Sequence, residues 1–176
     1  MPQSTVNAIF GLDMRQKISE YCDQARDALK KDFVPQYLGA NHRTRDQFLD
    51  KNTIIAETLF DMEKSQLCLI ADGTYIYCQK SSNNKVQRKL WSGHKKRPLI
   101  KPFMVCCSNG YIVDVYGPYS ATENDASILL NLLELNQELK NLVKPKDFLI
   151  LDRGFRDCID DLKQKYHLIP KMPACF

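Results

Sequence analysis

The chain has 176 residues, 44% of them hydrophobic and 26% charged, which is ordinary globular composition and excludes a disordered polypeptide as the default. Its apolar runs, such as residues 67–71 and 103–107, are far shorter than a membrane span requires, so no membrane partner is expected. The net charge of +4 is modest but segregated: from Gly73 to Val113 there is no acidic side chain, while Lys80, Lys85, Arg88, Lys89, Lys95, Lys96, Arg97 and Lys101 all fall there. A block of this kind points to a polyanionic partner more strongly than the net figure does.

In chain order, apolar residues at Ile18, Cys22, Ala25 and Leu29 predict a helix over Met14–Lys31 that stops before Phe33-Val34-Pro35. A second helix is predicted from Thr44 to Phe60, with Phe48, Ile55, Ala56 and Leu59 on one side and a Thr44–Gln47 capping box at its start. Beyond Glu63 the pattern changes. Residues 67–72 read as a buried strand closed by Gly73. Leu99–Cys107 and Tyr111–Tyr116 read as two strands joined through Ser108-Asn109-Gly110, a hairpin turn that tolerates positive φ. Glu123–Lys140 is a predicted helix, begun by a Ser120–Glu123 capping box and lined by Ala126, Leu129, Leu130, Leu133 and Leu135. Phe148–Asp152 is a second buried strand ending in aspartate, Arg156–Tyr166 a short helix, and His167–Pro170 one more strand.

The expected organisation is a small N-terminal helical region over 1–62 and a main domain over 63–176. The latter has the order β-β-β-α-β-α-β, an α/β fold of mixed α+β type built on a mixed sheet with helices on its faces. That is the order of a ribonuclease H-like sheet without its final helix.

Seven cysteines with no CxxC pair argue against a disulfide framework and against a zinc module. Cys68, Cys106 and Cys107 lie in apolar runs and read as core thiols. No basic-then-apolar leader is present, which predicts a soluble intracellular protein.

Two aspartates end buried strands beside a glycine: Asp72 in Ala-Asp-Gly-Thr and Asp152 in Leu-Asp-Arg-Gly-Phe. Carboxylates at strand C-termini emerge into the crevice where open α/β sheets place their ligands. They suit hard divalent ions such as Mg²⁺, and a pair of ions ~4 Å apart can drive phosphodiester displacement. The competing reading is that each aspartate only caps a strand end or turn with Gly73 or Gly154. Spacing alone leaves both open.

Several ordered motifs resemble the DDE superfamily of endonucleases, in its Harbinger-like transposase branch. They are Asp72-Gly73-Thr74-Tyr75-Ile76-Tyr77, residues 79–84 and 87–89, Ser92-Gly93-His94-Lys95-Lys96-Arg97 with the following 98–102, Gly117-Pro118-Tyr119, residues 124–129, and residues 149–155. The likeness extends upstream through residues 33–39. It implies a ribonuclease H-like nuclease whose Asp72 and Asp152 bind Mg²⁺ or Mn²⁺, hydrolysing a DNA strand and joining the freed 3′-hydroxyl to target DNA. It also leaves room for a separate DNA-binding partner protein and for a homo-oligomer. A nuclear location follows from such a substrate, with the cytoplasm otherwise; Lys95-Lys96-Arg97 is too short to stand as an import signal.

The likeness has one departure. The family's third acid is a glutamate on the helix after the last strand, and no glutamate follows Glu138 in this sequence. A truncated domain, weak or inactive as a nuclease, is therefore expected, with a non-catalytic DNA-binding remnant as the alternative. Asp125 is a candidate supporting acid, or else a helix-start residue favoured by the dipole. Asp114 is expected to face outward, and Asp157, Asp160 and Asp161 to form the wet face of the last helix. Asp-Gly-Thr also occurs in haloacid dehalogenase phosphatases, but their nucleophile would fall at Ile70, which excludes that chemistry. The basic block, with His94, reads as a DNA-contacting surface in which Tyr77, Trp91 and His94 can stack on bases, against the alternative of a solvated loop. The N-terminal helix mixes basic with acidic residues, a poor groove-binding face, so docking is favoured over a helix-turn-helix reader.

Overall fold

A computed structural model of the chain describes residues 3–11 and 15–173. The predicted helix start at Met14 and Cys175 lie outside the described residues. The chain divides into two compact units, residues 1–38 and 39–176, so that residues 39–62 group with the sheet.

In the first unit, α1 (Gln3–Phe10) is followed by α2 (Arg15–Ala28). The predicted stop before Phe33 does not occur. A π-helical turn over Leu29–Phe33 runs straight into α3 (Val34–Tyr37). Proline lacks an N–H and its ring presses on the carbonyl four residues back; here the Val34 N–H reaches Leu29 O, five residues back, and the widened turn takes up Pro35.

The second unit begins with α4 (Arg45–Leu49) and α5 (Ile54–Phe60) in place of one continuous helix. The Thr44–Gln47 capping box is present in full. The break comes at 50–53 because Thr53 adopts extended backbone and accepts from the Ala56 N–H at 3.2 Å, starting a new helix. The change of axis leaves Phe48 and Ala56 buried but turns Ile55 (78% exposed) and Leu59 (69%) outward.

Next come β1 (Cys68–Gly73), β2 (Ile76–Tyr77), α6 (Asn84–Leu90), β3 (Trp91–Ser92), β4 (Arg97–Cys107) and β5 (Ile112–Ser120). The β4–β5 turn uses positive φ at Gly110 only (+84°), with Gly110 N–H donating to Cys107 O and Cys107 N–H to Tyr111 O. That is the three-residue hairpin loop with glycine in the left-handed position. The predicted helix 123–140 is two helices, α7 (Asp125–Leu135) and α8 (Gln137–Leu142). Asn124, not Ser120, caps α7, and Asn136 interrupts the run by accepting from Leu139 N–H at 2.8 Å. Leu135, at the very end of α7, is consequently exposed. The chain closes with β6 (Phe148–Ile150), a 3-10 turn over Arg153–Cys158, α9 (Ile159–Gln164) and β7 (Ile169–Lys171).

The seven strands form a mixed sheet. Strand β4 pairs antiparallel with β5 and with β1, β2 continues the register of β1 along β4, and β6 and β7 add in parallel beyond β1. The main strands thus lie in the order β5-β4-β1-β6-β7, a ribonuclease H-like arrangement. Alternate residues of β4 (Leu99, Phe103, Val105, Cys107) point inward with Leu69, Ala71, Leu149 and Leu151. Leu129, Leu132 and Leu133 of α7 and Leu139 and Leu142 of α8, with Phe155 and Leu162, complete the main core on that face. The other face carries a smaller cluster of Ala56, Cys68 and Phe148, with the Phe60 and Phe148 rings stacked at 5.6 Å. Cys68 and Cys107 are fully buried, and burial pushes their thiols up to about 11 and about 12, so they serve as packing groups. Cys106 lies half-buried on the opposite face.

A polar clamp that the sequence does not advertise ties α4 to the start of β6. The Arg45 guanidinium donates to both carboxylate oxygens of Asp147, at 2.6 and 2.8 Å, and to the carbonyls of Leu142 and Ser65. Asp147, 2% exposed, also accepts from the Leu67 and Lys144 N–H groups. Every oxygen is satisfied, which is the condition under which a buried ion pair is tolerated.

Candidate active site

Strands β1 and β6 run parallel with Ile70 opposite Ile150. Asp72 and Asp152 each lie two residues further on. Because side chains alternate along a strand, both leave the same end of the sheet on the same face. Both are exposed. The Asp72 carboxyl is held above its ordinary value, first by partial burial and then by the negative charge of Asp152. The Gly73 N–H draws it down, Asp125 pushes it up again and Lys101 opposes. Asp152 also performs the capping role: its Oδ1 accepts from the Gly154 N–H at 2.7 Å and starts the 3-10 turn. Its two roles are compatible, since that bond engages only one oxygen.

Asp125, the first residue of α7, sits against the other side of β1's end. A Cβ added to Gly73 would collide with its Oδ1, so glycine is what allows α7 to approach here. Oδ1 is buried without a hydrogen bond but lies 3.1 Å from Lys101 Nζ, an ion pair lacking hydrogen-bond alignment. Lys101 Nζ donates to Glu123 O at 2.6 Å and stands 5.2 Å from the centre of the Tyr75 ring. This corrects the expectation that Lys101 belongs to the DNA-contacting surface. It is 3% exposed, on the inward side of β4, and acts as an internal tie between β4 and the start of α7. The signal was in the sequence: Leu99, Lys101, Phe103, Val105 and Cys107 alternate with period two.

The remaining basic residues of the block lie at the surface. Lys80, Lys85, Arg88, Lys89, His94, Lys95, Lys96 and Arg97 are all exposed. The segment is not a bare loop. Asn83 caps α6 by accepting from the Lys85 and Val86 N–H groups, and Lys89 O accepts from Ser120 Oγ at 2.7 Å and from the Ala121 N–H. Helix α6 escapes sequence detection because seven residues carry only Val86 and Leu90 as apolar positions. Exposed aromatic surface is interleaved, with Tyr77 at 62% and Trp91 at 45%, and Arg97 lies over the Tyr77 ring. Asp157, Asp160 and Asp161 are exposed, as expected. Asp114 is half-buried instead, beside Tyr116, whose hydroxyl is pushed up by burial and then by Asp114.

A cavity of about 510 Å³ opens at the same end of the sheet, on the α7 side; Asp125 lines it, and Asp72 and Asp152 do not. Its walls come from the β3–β4 turn (Gly93, His94), from Tyr75 and Lys101, from the loop into α7 (Glu123, Asp125) and from Gly154.

Asp72 and Asp152 offer hard oxygen donors, which is what Mg²⁺ or Mn²⁺ takes, with water completing the coordination. The mutual repulsion that raises the Asp72 carboxyl is relieved by a cation placed against it. The two acids therefore fit such an ion. Among the described residues no group of three or more His, Cys, Asp or Glu side chains forms a metal cluster.

Residues 71–172, more than half of the chain, match the model of a family described as DDE superfamily endonuclease. No match was found among curated proteins or among solved structures.

Proposed function

The chain belongs to the DDE superfamily of endonucleases, and we propose that it is a DNA phosphodiester-cutting and strand-joining domain of Harbinger-like type that uses Mg²⁺ or Mn²⁺ at Asp72 and Asp152. The observation that carries this is the in-register exit of both aspartates from adjacent parallel strands, with the carboxyl of one perturbed by the charge of the other. A bound divalent cation would supply charge stabilisation for displacement at phosphorus. Asp72 and Asp152 bind and orient, and the Gly154 N–H fixes the rotamer of Asp152. The exposed cations of residues 80–97 hold the phosphate backbone of DNA, giving salt-dependent and largely sequence-independent affinity. Catalysis in such a site comes from positioning and electrostatics rather than from a covalent enzyme intermediate.

The second reading is a DNA-binding protein without cleavage. It is favoured by the state of Asp125, the third acid near Asp72, whose charge is already committed to Lys101. The deciding experiment is Mn²⁺-dependent nicking of supercoiled DNA, comparing the chain with its Asp72→Asn form. Nicking that Asp72→Asn abolishes supports the nuclease. Tight DNA binding with no nicking in any form supports the binding protein.

A further inference from the structure

We propose that the cavity at the acid pair's end of the sheet receives a single unpaired nucleobase of the bound DNA, one bearing an exocyclic amine. This rests on DNA being the substrate, and it adds a site for a base where the proposed function concerns only phosphates and metal. The position is the first argument. Tyr75 follows β1 three residues after Asp72, and Gly154 follows Asp152 by two, so a group in the cavity sits at the same end of the sheet as the two acids, on the side of α7.

Charge is the second argument. The basic segment presents its cations on the exposed surface, yet the cavity itself is lined by two carboxylates, Glu123 and Asp125, against one ammonium, Lys101, which already faces Asp125. A phosphate would meet net negative charge there. A neutral base would not, and its amine hydrogens match carboxylate acceptors, the pairing by which Asp and Glu read cytosine N4. Asp125 has the capacity: Oδ1 is turned inward against Gly73, and the side chain is still 23% exposed.

Shape is the third. Tyr75, which carries Lys101 over one face of its ring, is 38% exposed and His94 is exposed, so exposed ring surface is there for a base to stack on. The wall at Gly93 has no atom within 4 Å of where a Cβ would stand, so the space there is open. About 510 Å³ is within the range of small-molecule sites and ample for one base. A base can reach it only by leaving the stack, which costs least where it is already unpaired.

The test is a competition binding series in EDTA at one fixed salt concentration. Its four duplexes share a sequence and differ at one position, which is fully paired, a single bulged cytosine, a bulged thymine or a bulged abasic site. The expected result is about tenfold tighter binding of the cytosine bulge than of the thymine bulge, the scale of one base-edge hydrogen-bond contact, with the abasic bulge weakest because it also loses stacking. Gly93→Leu, at a wall position where an added Cβ meets no atom within 4 Å, brings the cytosine bulge to the abasic level while the paired duplex binds as before. Equal binding of the cytosine and abasic bulges by the unmodified chain overturns the base site and leaves DNA binding standing. A cytosine preference that survives Gly93→Leu, or is matched by thymine, also overturns it. Binding to none of the four overturns the DNA reading itself.

Discussion

Replacing Lys101 by methionine separates two roles that the sequence runs together, surface cation and internal tie. Methionine keeps most of the unbranched stem that packs along the inward face of β4, so the loss is concentrated at the ammonium. The bond to Glu123 O is charge-assisted, a class that contributes about 1.5–3 kcal/mol. Breaking a fully buried pair costs about 3–5 kcal/mol, but Asp125 is 23% exposed and water can take over part of the ammonium's role. The net expectation is a loss of about 2–3 kcal/mol in urea unfolding, with an unchanged m-value. Duplex binding tells the other half. Each phosphate-contacting cation contributes about 0.9 to the slope of log K against log salt, so Lys95→Ala and Lys96→Ala should each flatten it by about that amount. Lys101→Met should leave the slope where it was. A variant as stable as the parent whose salt slope falls by about 0.9 would refute the assignment and return Lys101 to the DNA surface.

Other substitutions probe the acids and the clamp. The folded-state carboxyl of Asp72 lies above its ordinary 3.8, so without metal the protein loses stability as pH rises from that value through the raised one. Asp72→Asn should remove this decline and be at least as stable as the parent at pH 7 in EDTA, whereas added Mn²⁺ should raise the melting temperature of the parent alone. A matching Mn²⁺ shift in the variant would rule Asp72 out as a ligand. Gly73→Ala should displace the start of α7 through its collision with Asp125, lowering both thermal stability and the Mn²⁺-induced shift; parent-like values for both would mean the contact is loose. Asp147→Asn offers an amide hydrogen where Arg45 or a backbone N–H already donates, and should cost about 3 kcal/mol in urea unfolding; a cost under about 1 kcal/mol would mean the clamp is solvated.

What was legible in the sequence follows from the range over which each signal acts. Runs such as 67–72 and 148–152 declare buried strands because burial on both faces needs an unbroken apolar stretch, and a terminal aspartate then stands out against it. Helix ends were less legible. Thr53 and Asn136 start new helices by side-chain bonds that any Thr or Asn inside a helical pattern could forgo, and the pattern of apolar residues runs on across both breaks. The turn at Pro35 failed for the converse reason: the rule that proline stops a helix assumes four-residue hydrogen bonding, and a π turn escapes it. The acid pair was readable as two separate strand ends, but their neighbourhood was not, because Lys101 and Asp125 are brought together by the packing of α7 on the sheet. Composition counted Lys101 with the basic block. Strand periodicity placed it with Phe103 and Val105, and periodicity prevails because a one-residue change of face would expose the whole inward row of β4. The same packing sets Glu123, Asp125 and Lys101 around the cavity, so a chain whose exposed 80–97 block is basic carries, at the end of the same sheet, a recess of the opposite charge.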